Sequence, residues 1–326
     1  MTGAGQVLSA GWYSNAWWLW LLRPLEMLFR IVSWLRRLAY CSGLLSVYRA
    51  PCPVVIIGNI TLGGSGKTPV VIALVEALGE HGVRAGVVSR GYGASRGQFP
   101  HIVSDTSDSA DCGDEPLLIY QRTGCPCVVS PSRVDAVRSL LSQFEVDVIL
   151  SDDGLQHYAL ARDLEIALVD ASVGLGNGFC LPAGPLREPP QRLRAVDFTL
   201  YRGSEDAHCG VCYLPEALIN LADGRQIAAS AQALGQNVYA FAGIGQPQQF
   251  FGQLRGLGFD FQQREFPDHH VYTAADFAGL SHQTIIMTEK DAVKCHHLVG
   301  DNAWYLRISA QLPQAVVQTI MQLAKT

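Results

Sequence analysis

The sequence predicts an α/β protein in which a mostly parallel sheet forms the first domain and a second, smaller α/β domain follows. Apolar runs of strand length, at residues 54–57, 146–150 and 164–169, alternate with longer segments of helical periodicity. Strands that alternate with helices are typical of parallel sheets. The order of strand, glycine turn and helix returns after residue 238, and this repeat predicts the second domain.

A glycine-rich turn stands between the strand at 54–57 and the helical segment at 70–78. It runs Gly-Asn-Ile-Thr-Leu-Gly-Gly-Ser-Gly-Lys-Thr, from Gly58 to Thr68. Such a turn lets backbone N–H groups converge on a phosphate, and lysine followed by threonine suits the outer phosphates and Mg²⁺. The turn therefore predicts a P-loop NTPase-like domain. Thr61 departs from the usual glycine, and the alternative is a glycine-rich turn that binds nothing.

Composition and charge exclude some classes of function. With 326 residues the chain can bury a sizeable core and form two domains. A formal net charge of −5 leaves no basic excess for binding nucleic acid. The nine cysteines are scattered, and their odd number favours reduced thiols in the cytosol. Cys209 and Cys212 lack a second ligand pair at zinc-site spacing, so we expect them to be structural.

The first 50 residues carry the pattern of a membrane-surface segment. Five of the six tryptophans lie within residues 12–34, and indole rings favour the boundary between lipid and water. From residue 23 onward, polar residues recur at intervals of three and four in an otherwise apolar stretch, namely Arg23, Glu26, Arg30, Ser33 and Arg37. This spacing predicts an amphipathic helix with one narrow polar stripe.

Charges at three of these positions interrupt the run of about 20 apolar residues that a spanning helix needs. No small-residue cleavage site ends the apolar block, which disfavours a secretory signal. We therefore expect the helix to lie in the bilayer surface, with its apolar face in the lipid and its arginines toward anionic headgroups. The alternative is a helix buried against the domain.

Polar residues follow two predicted strands of the first domain. Arg90 follows the strand at 84–89, at the edge where open α/β sheets bind ligands, and it is a candidate phosphate ligand or a surface turn residue. The strand at 146–150 leads to Asp152 and Asp153. A carboxylate at such a strand end is what the magnesium side of a P-loop site requires. Gln156 and His157 follow, with ordinary turn residues as the alternative.

Asp114 follows a polar loop, residues 104–113, and starts an apolar helix. Spacing alone favours a role for Asp114 as the N-cap of this helix. A carboxylate near a sugar hydroxyl is equally suited to accept a proton during phosphoryl transfer. Farther along, residues 176–190 form a long loop without predicted secondary structure, and loops of this length are often functional.

A hairpin predicts the boundary between the domains, because two extended segments flank the Asp-Gly turn at 223–224. In the second domain, Asp268 stands beside His269 and His270, where it orients an imidazole or caps a helix. The predicted divisions are a membrane-associated segment at 1–50, the nucleotide-binding domain at 51–210, a hairpin linker at 211–231 and the smaller α/β domain at 232–326.

Taken together, these motifs resemble the tetraacyldisaccharide 4'-kinase family, which moves the γ-phosphate of ATP to the 4'-hydroxyl of an acylated glucosamine disaccharide 1-phosphate in the lipid A pathway. The resemblance runs from the tryptophan-rich start to at least Lys294. It rests on the P-loop and on the segments 89–93, 113–116, 152–157, 182–188, 268–270 and 288–291. Thr61 looks normal for this family.

The resemblance implies roles for individual residues. Asp114 would receive the sugar proton, His269 would assist it from the second domain, and Lys67 would bind ATP. The implied ligands of Mg²⁺ are Thr68, Asp152, Asp153 and Glu188. The implied nucleotide contacts are Asn59, Gly63, Gly64, Ser65, Gly66, Lys67, Thr68, Arg90 and Gln156, with Tyr92 and His157 close by. His270 stays open as the alternative to His269.

The resemblance also implies ATP and Mg²⁺ as cofactors, the acylated disaccharide and the lipid surface as partners, and no nucleic-acid or protein partner. It implies a peripheral protein on the cytoplasmic face of the inner membrane. One rival interpretation is a membrane-associated P-loop switch ATPase. Those proteins carry a lysine near the start of the loop, where this chain has Thr61 and Leu62. Another rival is a soluble small-metabolite kinase whose N-terminal helix is core.

Overall fold

A computed structural model describes residues 3–95, 98–235 and 237–325. In this part of the chain, thirteen strands join into one mixed, mostly parallel sheet. The strands of its first half are β1 (Val54–Gly58), β2 (Ala85–Ser89), β3 (His101–Ile102), β4 (Cys127–Val129), β5 (Val148–Asp152), β6 (Leu164–Asp170) and β7 (Phe198–Arg202). They have the order β7-β6-β1-β5-β2-β4-β3 and pair in parallel, except for β3 at the edge.

The strands of the second half are β8 (Gly210–Asn220), β9 (Gln226–Ala228), β10 (Asn237–Ala242), β11 (Asp260–Glu265), β12 (Ile285–Thr288) and β13 (Ala303–Gln311). Their order is β11-β10-β12-β13-β8, with β9 paired to β8. The first two residues of β8 pair in parallel with β7, and the rest of it pairs antiparallel with β13. One long strand therefore belongs to both halves of the sheet.

Helices cover both faces of the sheet. They are α1 (Gly3–Ser14), α2 (Arg23–Cys41), α3 (Lys67–Glu80), α4 (Ser109–Cys112), α5 (Asp114–Thr123), α6 (Arg133–Gln143), α7 (Ala231–Leu234), α8 (Pro247–Gly256), α9 (Glu289–Ala292) and α10 (Gln314–Leu323). Short 3-10 turns lie at Trp17–Leu22, Pro190–Ala195 and Ala274–Phe277. Because both faces are covered, β1, β2, β5 and β6 are buried along their whole length, which matches their continuous apolar sequences.

The last helix of the chain returns to the first half. Val316 and Ile320 of α10 are fully buried in one core with Val70 and Leu74 of α3. The helix α6 packs on the opposite face of the sheet through Val137 and other apolar residues. The predicted division into domains stays a prediction, but α10 belongs to the hydrophobic core of the first half.

Local patterns predicted most elements to within a few residues. The hairpin is confirmed, since β8 and β9 pair antiparallel around the Asp-Gly turn. Helix α3 starts at Lys67, three residues before the predicted segment, because Lys-Thr-Pro forms its first turn. The predicted loop at 104–113 contains the short helix α4, which is capped by Asp108. Residues 176–189 contain no named helix or strand.

The polar stripe of α2 faces the protein. Glu26 is 1% exposed, forms ion pairs with Arg23 and Arg30, and accepts a hydrogen bond from the N–H of Cys180 at 3.1 Å. Arg23 also lies over the ring of Phe179, with 4.0 Å between the guanidinium carbon and the ring centroid. The expectation that these arginines point toward headgroups is therefore wrong. A buried carboxylate needs cationic partners, and the stripe packs against the loop at 176–190 to provide them.

The apolar side of the N-terminal segment faces outward. Of the 23 large hydrophobic side chains that are exposed in the described residues, 16 lie between residues 7 and 47. Trp17, Leu21 and Leu44 are 76%, 72% and 80% exposed. No described helix combines the length and the apolar character that crossing a bilayer requires. A concentration of exposed apolar surface in one region is typical of an interaction site.

Glu26→Ala is expected to detach α2 from the loop at 176–190, because Arg23, Arg30 and the Cys180 N–H lose their shared acceptor. We expect a loss of about 3 kcal/mol, the lower end of the range for a broken buried pair, since Arg30 is half exposed. Thermal denaturation and faster trypsin cleavage within α2 would measure it. The control is Glu145→Ala, which removes an 89% exposed partner of Arg84. Equal losses in both variants would contradict the anchoring role of Glu26.

Candidate active site

The predicted P-loop leaves β1 and runs directly into α3. Gly63 has a φ of +101° and Gly66 has a φ of +78°, which side-chain-bearing residues rarely adopt. A Cβ added at Gly66 would also lie 3.0 Å from atoms of Arg202 and Tyr213. Glycine is thus required at these positions. The N–H groups of the first turn of α3 have no partner within the helix and are available to phosphate oxygens.

Lys67 is surrounded by three oxygen atoms. Its Nζ lies 3.3 Å from Asn59 Oδ1, 3.5 Å from Ser65 Oγ and 3.3 Å from Asp153 Oδ1. Burial alone would raise the pKa of Asp153, but Lys67 and Arg187 hold it well below its usual range. Lys67 and Asp153 therefore form a charged pair beside the loop.

Asn59 connects the P-loop to the segment that follows β5. The Asn59 side chain donates from Nδ2 to Thr61 Oγ1 at 3.2 Å, and its backbone carbonyl accepts from Gln156 Nε2 at 3.3 Å. Asn59 is completely buried, so its amide needs these partners. Thr61, which departs from the general P-loop pattern, thus satisfies a buried donor of the loop itself.

Asp152 ends β5 opposite Ile57, at the start of the P-loop. Its Oδ2 accepts from Ser89 Oγ at 3.4 Å, whereas its Oδ1 is buried without a hydrogen-bond partner in the described part of the chain. Burial, and then the carboxylates of Glu115 and Asp153, raise the pKa of Asp152. A buried carboxylate oxygen without a partner suits a divalent cation.

No group of three or more His, Cys, Asp or Glu side chains within the described residues is placed to hold a metal ion. Magnesium usually keeps several waters and takes one or two carboxylates together with phosphate oxygens, so a smaller donor set is sufficient for it. Asp152 and Thr68, which are both buried, fit that requirement. Cys209 and Cys212 are free thiols in the structure.

Glu188 is engaged by other side chains. Its two oxygens accept from Gln156 Nε2 at 2.8 Å and from the Tyr158 hydroxyl at 2.5 Å. The neighbouring Arg187 donates to both oxygens of Asp153, at 3.1 and 3.0 Å. Gln156 and Arg187 thus link Glu188 to the P-loop edge, and its role as a metal ligand stays a prediction.

Asp114 faces the second half of the molecule. It is the first residue of α5 and is 6% exposed, and the N-cap position of this helix is Gly113. The Asp114 Oδ2 lies 3.1 Å from His269 Nδ1, across the boundary between the halves. The alternative role of Asp114 as an N-cap is therefore wrong, and its carboxylate lies at the boundary between the halves.

Cations keep this carboxylate ionised. Burial would raise the pKa of Asp114, but the hydrogen bond with His269 and the charges of Lys294 and Lys290 outweigh it, and the pKa is lowered. The ring of His269 also packs 4.9 Å from the ring of Tyr92, and its backbone has a φ of +60°. Asp114 is thus ready to accept a proton at neutral pH.

His270 has a different environment. Its Nε2 lies 3.4 Å from Asp276 Oδ2, and its ring stacks on Phe266 at 4.7 Å. Both partners belong to the second half. Of the two histidines, His269 is the one shown in contact with Asp114, and its role in assisting that residue stays a prediction.

A cavity of about 180 Å³ lies between the P-loop and the second half. Its walls include the apolar side chains of Ile72, Leu118, Phe250 and Leu306 and the side-chain amides of Gln246, Gln249 and Gln253. Apolar walls with a few convergent polar groups are typical of small-molecule sites. The second half approaches closely here, since a Cβ added at Gly245 would lie 3.5 Å from the backbone nitrogen of Gly64.

Three other predicted residues lie outside the lining of this cavity, namely Arg90, Tyr92 and His157. Arg90 is exposed at the carboxyl end of β2, and Tyr92 is 67% exposed. Burial and the charges of Arg133 and Arg90 lower the pKa of His157 to about 4, so this imidazole is neutral at pH 7.

Sequence reasoning gave no role to Arg187, Arg202 or Lys294. Arg187 lies within the segment 182–188, which is one of those that carry the family resemblance. Arg202 ends β7, and its position at the carboxyl end of a strand was an available signal. Arg202 pairs with Asp170 and bonds to Gln246 of the second half.

Fold and site together define a class of protein. In P-loop switches a glutamine orients the attacking water, whereas kinases use an aspartate to accept the proton of a hydroxyl. A chain that combines a P-loop lysine with a buried, ionised aspartate at the boundary between its halves therefore fits a P-loop kinase with a mixed α/β fold.

Comparison with known proteins identifies the family. The family model of tetraacyldisaccharide-1-P 4'-kinase, LpxK, matches residues 18–325, and the chain belongs to this family. The tetraacyldisaccharide 4'-kinase of Pseudomonas aeruginosa is 49% identical over 306 residues, which are 93% of this chain and 92% of the relative. The protein of the same name from Haemophilus influenzae is 48% identical over 313 residues, or 94% and 93% of the two chains.

A solved structure agrees with this assignment. The crystal structure of LpxK from Aquifex aeolicus in complex with ATP matches with a TM-score of 0.78 and 28% identity, covering 94% of this chain and 98% of that one. The resemblance inferred from the motifs is thereby confirmed, and the family assignment favours a kinase over a switch ATPase.

His269→Ala is expected to lower turnover by about 10- to 100-fold, because a hydrogen bond to an ionised group contributes about 1.5–3 kcal/mol. His270→Ala is the matched control, and we expect its turnover to stay near that of the unmodified protein. Steady-state phosphotransfer to the lipid acceptor measures both. A larger loss in His270→Ala than in His269→Ala would show that the assignment is off by one residue.

Proposed function

We propose that this chain is an ATP-dependent lipid kinase that transfers the γ-phosphate to the 4'-hydroxyl of tetraacyldisaccharide 1-phosphate in lipid A biosynthesis. The observation that carries the proposal is the Asp114 carboxylate, which is buried, ionised and in contact with His269, in a chain of this kinase family. The names of the relatives support the acceptor, and the ATP in the Aquifex aeolicus structure supports the donor.

In the reaction, the acceptor oxygen forms a bond to the γ-phosphorus while the bond between the γ-phosphorus and the β,γ-bridging oxygen breaks, and ADP leaves. The hydroxyl proton goes to Asp114. An aspartate is a weak base, but the proton leaves late, when the oxygen–phosphorus bond is already forming. Lys67 and the P-loop N–H groups neutralise the charge of the transferring phosphate, which is the main contribution of protein in such reactions. His269 orients the carboxylate.

Mg²⁺ fits the first turn of α3 and the end of β5. Thr68 and Asp152 would hold it, Asp153 and Glu188 are the further candidate ligands, and the unpartnered Oδ1 of Asp152 supports the role of Asp152. Bound there, the ion would neutralise negative charge on the β- and γ-phosphates. The cavity lined by Gln246, Gln249 and Gln253 then takes the nucleobase.

The acceptor enters from the side of α2. A groove of about 410 Å³ lies between this helix and the loop at 176–190, with an apolar wall that includes Met27, Ile31 and Trp34. These walls suit acyl chains, and the guanidinium groups of Arg30, Arg37 and Arg187 on the same groove suit a phosphate. Because Arg187 bonds to Asp153 beside Lys67, the groove ends at the P-loop edge.

The exposed apolar residues of the N-terminal segment support a peripheral position on the membrane. Such a surface binds the lipid interface in proportion to the apolar area that it buries. Since ATP is the donor, the protein works on the cytoplasmic face of the inner membrane. The inward-facing stripe of Glu26 and its arginines makes apolar burial, rather than attraction to anionic headgroups, the main contribution to binding.

The test of function is transfer of label from γ-labelled ATP to tetraacyldisaccharide 1-phosphate by the purified protein. Asp114→Ala is expected to reduce turnover by about 10²- to 10⁴-fold, the usual contribution of a general base, while ATP affinity stays nearly intact. Exposed Asp260→Ala is the matched control and should leave turnover unchanged. Label that never reaches the lipid, or near-normal turnover of Asp114→Ala, would contradict the proposal.

The membrane assignment is tested with the triple variant Leu28→Gln/Val32→Gln/Leu35→Gln, whose three side chains are 50–58% exposed on α2. We expect its partitioning onto neutral phosphatidylcholine vesicles to fall by at least about 100-fold, because each change removes apolar burial worth on the order of 1 kcal/mol. The control is Val173→Gln/Leu214→Gln, at two sites that are each 42% exposed elsewhere. Unchanged co-sedimentation of the triple variant would contradict membrane binding through α2.

A further inference from the structure

Lys294 contacts carboxylates from both halves of the molecule. It lies just after α9, and its side chain is 6% exposed. The Lys294 Nζ lies 3.6 Å from Asp114 Oδ2, in the first half, and 3.0 Å from Asp291 Oδ1, in the second. Burying an ammonium group costs free energy, and attraction to charged carboxylates on both sides offsets this cost.

Asp291 fixes this lysine to the second half. Asp291 is completely buried, and its Oδ2 accepts hydrogen bonds from Thr288 Oγ1 at 2.6 Å and from the Gly243 N–H at 2.8 Å. The Lys294 ammonium also lies 5.1 Å from the centroid of the Tyr272 ring. These contacts fix the position of the Lys294 ammonium group independently of Asp114. The second half therefore presents a preformed cation to the aspartate.

The contact between Lys294 and Asp114 is an ion pair without a hydrogen bond. Among the described residues, no acceptor meets hydrogen-bond geometry with Lys294 Nζ, although two carboxylates lie within 4 Å of it. His269, in contrast, makes a hydrogen bond to the same Asp114 oxygen. One residue of the second half therefore orients the carboxylate, and the other supplies positive charge beside it.

We infer that Lys294 is a positioning residue for phosphoryl transfer, which keeps the Asp114 carboxylate ionised and directed toward the acceptor when the two halves are in contact. The inference rests on the proposed role of Asp114 as the base. It assigns the lysine no contact with the substrate, so Lys294 affects the reaction only through Asp114.

The charged surroundings of Asp114 predict the effect of removing Lys294. His269, Lys290 and Lys294 face it from the second half together with Asp268 and Asp291, and its own half contributes Glu115 and Cys112. Burial raises the pKa of Asp114, and Lys294 is one of the groups that oppose this effect. Without the lysine, the pKa of Asp114 should rise. Asp114 should then stay protonated, and therefore unable to act as a base, up to a higher pH.

The experiment compares the pH profiles of kcat/KM for the lipid acceptor at saturating ATP. In Lys294→Met the acid limb is expected to move up by about one pH unit or more, the usual effect of a charge at this distance, and activity should recover at high pH. Lys294→Arg should restore most of the original profile. Lys325→Met, the same change at an exposed site, should leave it unmoved. The ionisation of ATP itself is common to all variants.

A Lys294→Met profile that is lowered by the same factor at every pH would overturn the inference, because a purely structural role predicts that result. Lys294→Met alone leaves Asp291 buried without its cation, so thermal denaturation should accompany each profile. If Lys294→Met does not fold, the double variant Asp291→Asn/Lys294→Met removes both charges and should show the same upward shift. A double variant without the shift would also overturn the inference.

The outcome for Asp114→Ala separates this inference from the proposed function. Near-normal turnover of Asp114→Ala rejects Asp114 as the base and with it the role of Lys294. An inactive Asp114→Ala together with a parallel Lys294→Met profile rejects only the role of Lys294.

Discussion

The Asp114 carboxylate imposes the central constraint on this molecule. It belongs to the first half, but the groups that keep it ionised, His269, Lys294 and Lys290, all come from the second. A buried carboxylate without counter-charges would take up a proton and could then no longer act as a base. The two halves must therefore be in contact for the proposed chemistry, and the site has its full electrostatic character only at their boundary.

At the P-loop edge of the sheet the charges are reversed, because here a cation is surrounded by oxygen atoms. Lys67 lies among oxygen atoms from Asn59, Ser65 and Asp153, and Asp153 is shared with Arg187. Phosphate groups bring several negative charges, and a cation that is already fixed beside the loop stabilises them without further reorganisation. The buried and unpartnered oxygen of Asp152 shows the reverse case, since it is a negative group that gains from an added cation.

Much of this was predictable from sequence because it is local. The P-loop, its flanking strand and helix, and the acidic end of β5 are each encoded in a few consecutive residues. Long-range contacts were not predictable in this way. The periodicity of α2 gave the polar stripe but not its direction, which depends on Glu26 meeting Arg23, Arg30 and a distant loop. The charge of Lys294 near Asp114, about 180 residues away in sequence, likewise has no local pattern.

The strand β8 determines how the halves are able to move. The chain crosses from the first half to the second in β8 and returns through β13 to α10, and these two strands lie side by side, with Cys212 paired to Gln311. The two crossings between the halves therefore form one hydrogen-bonded pair of antiparallel strands. Sliding of one half past the other would break these hydrogen bonds, so any opening between the halves would have to bend the β8–β13 pair instead.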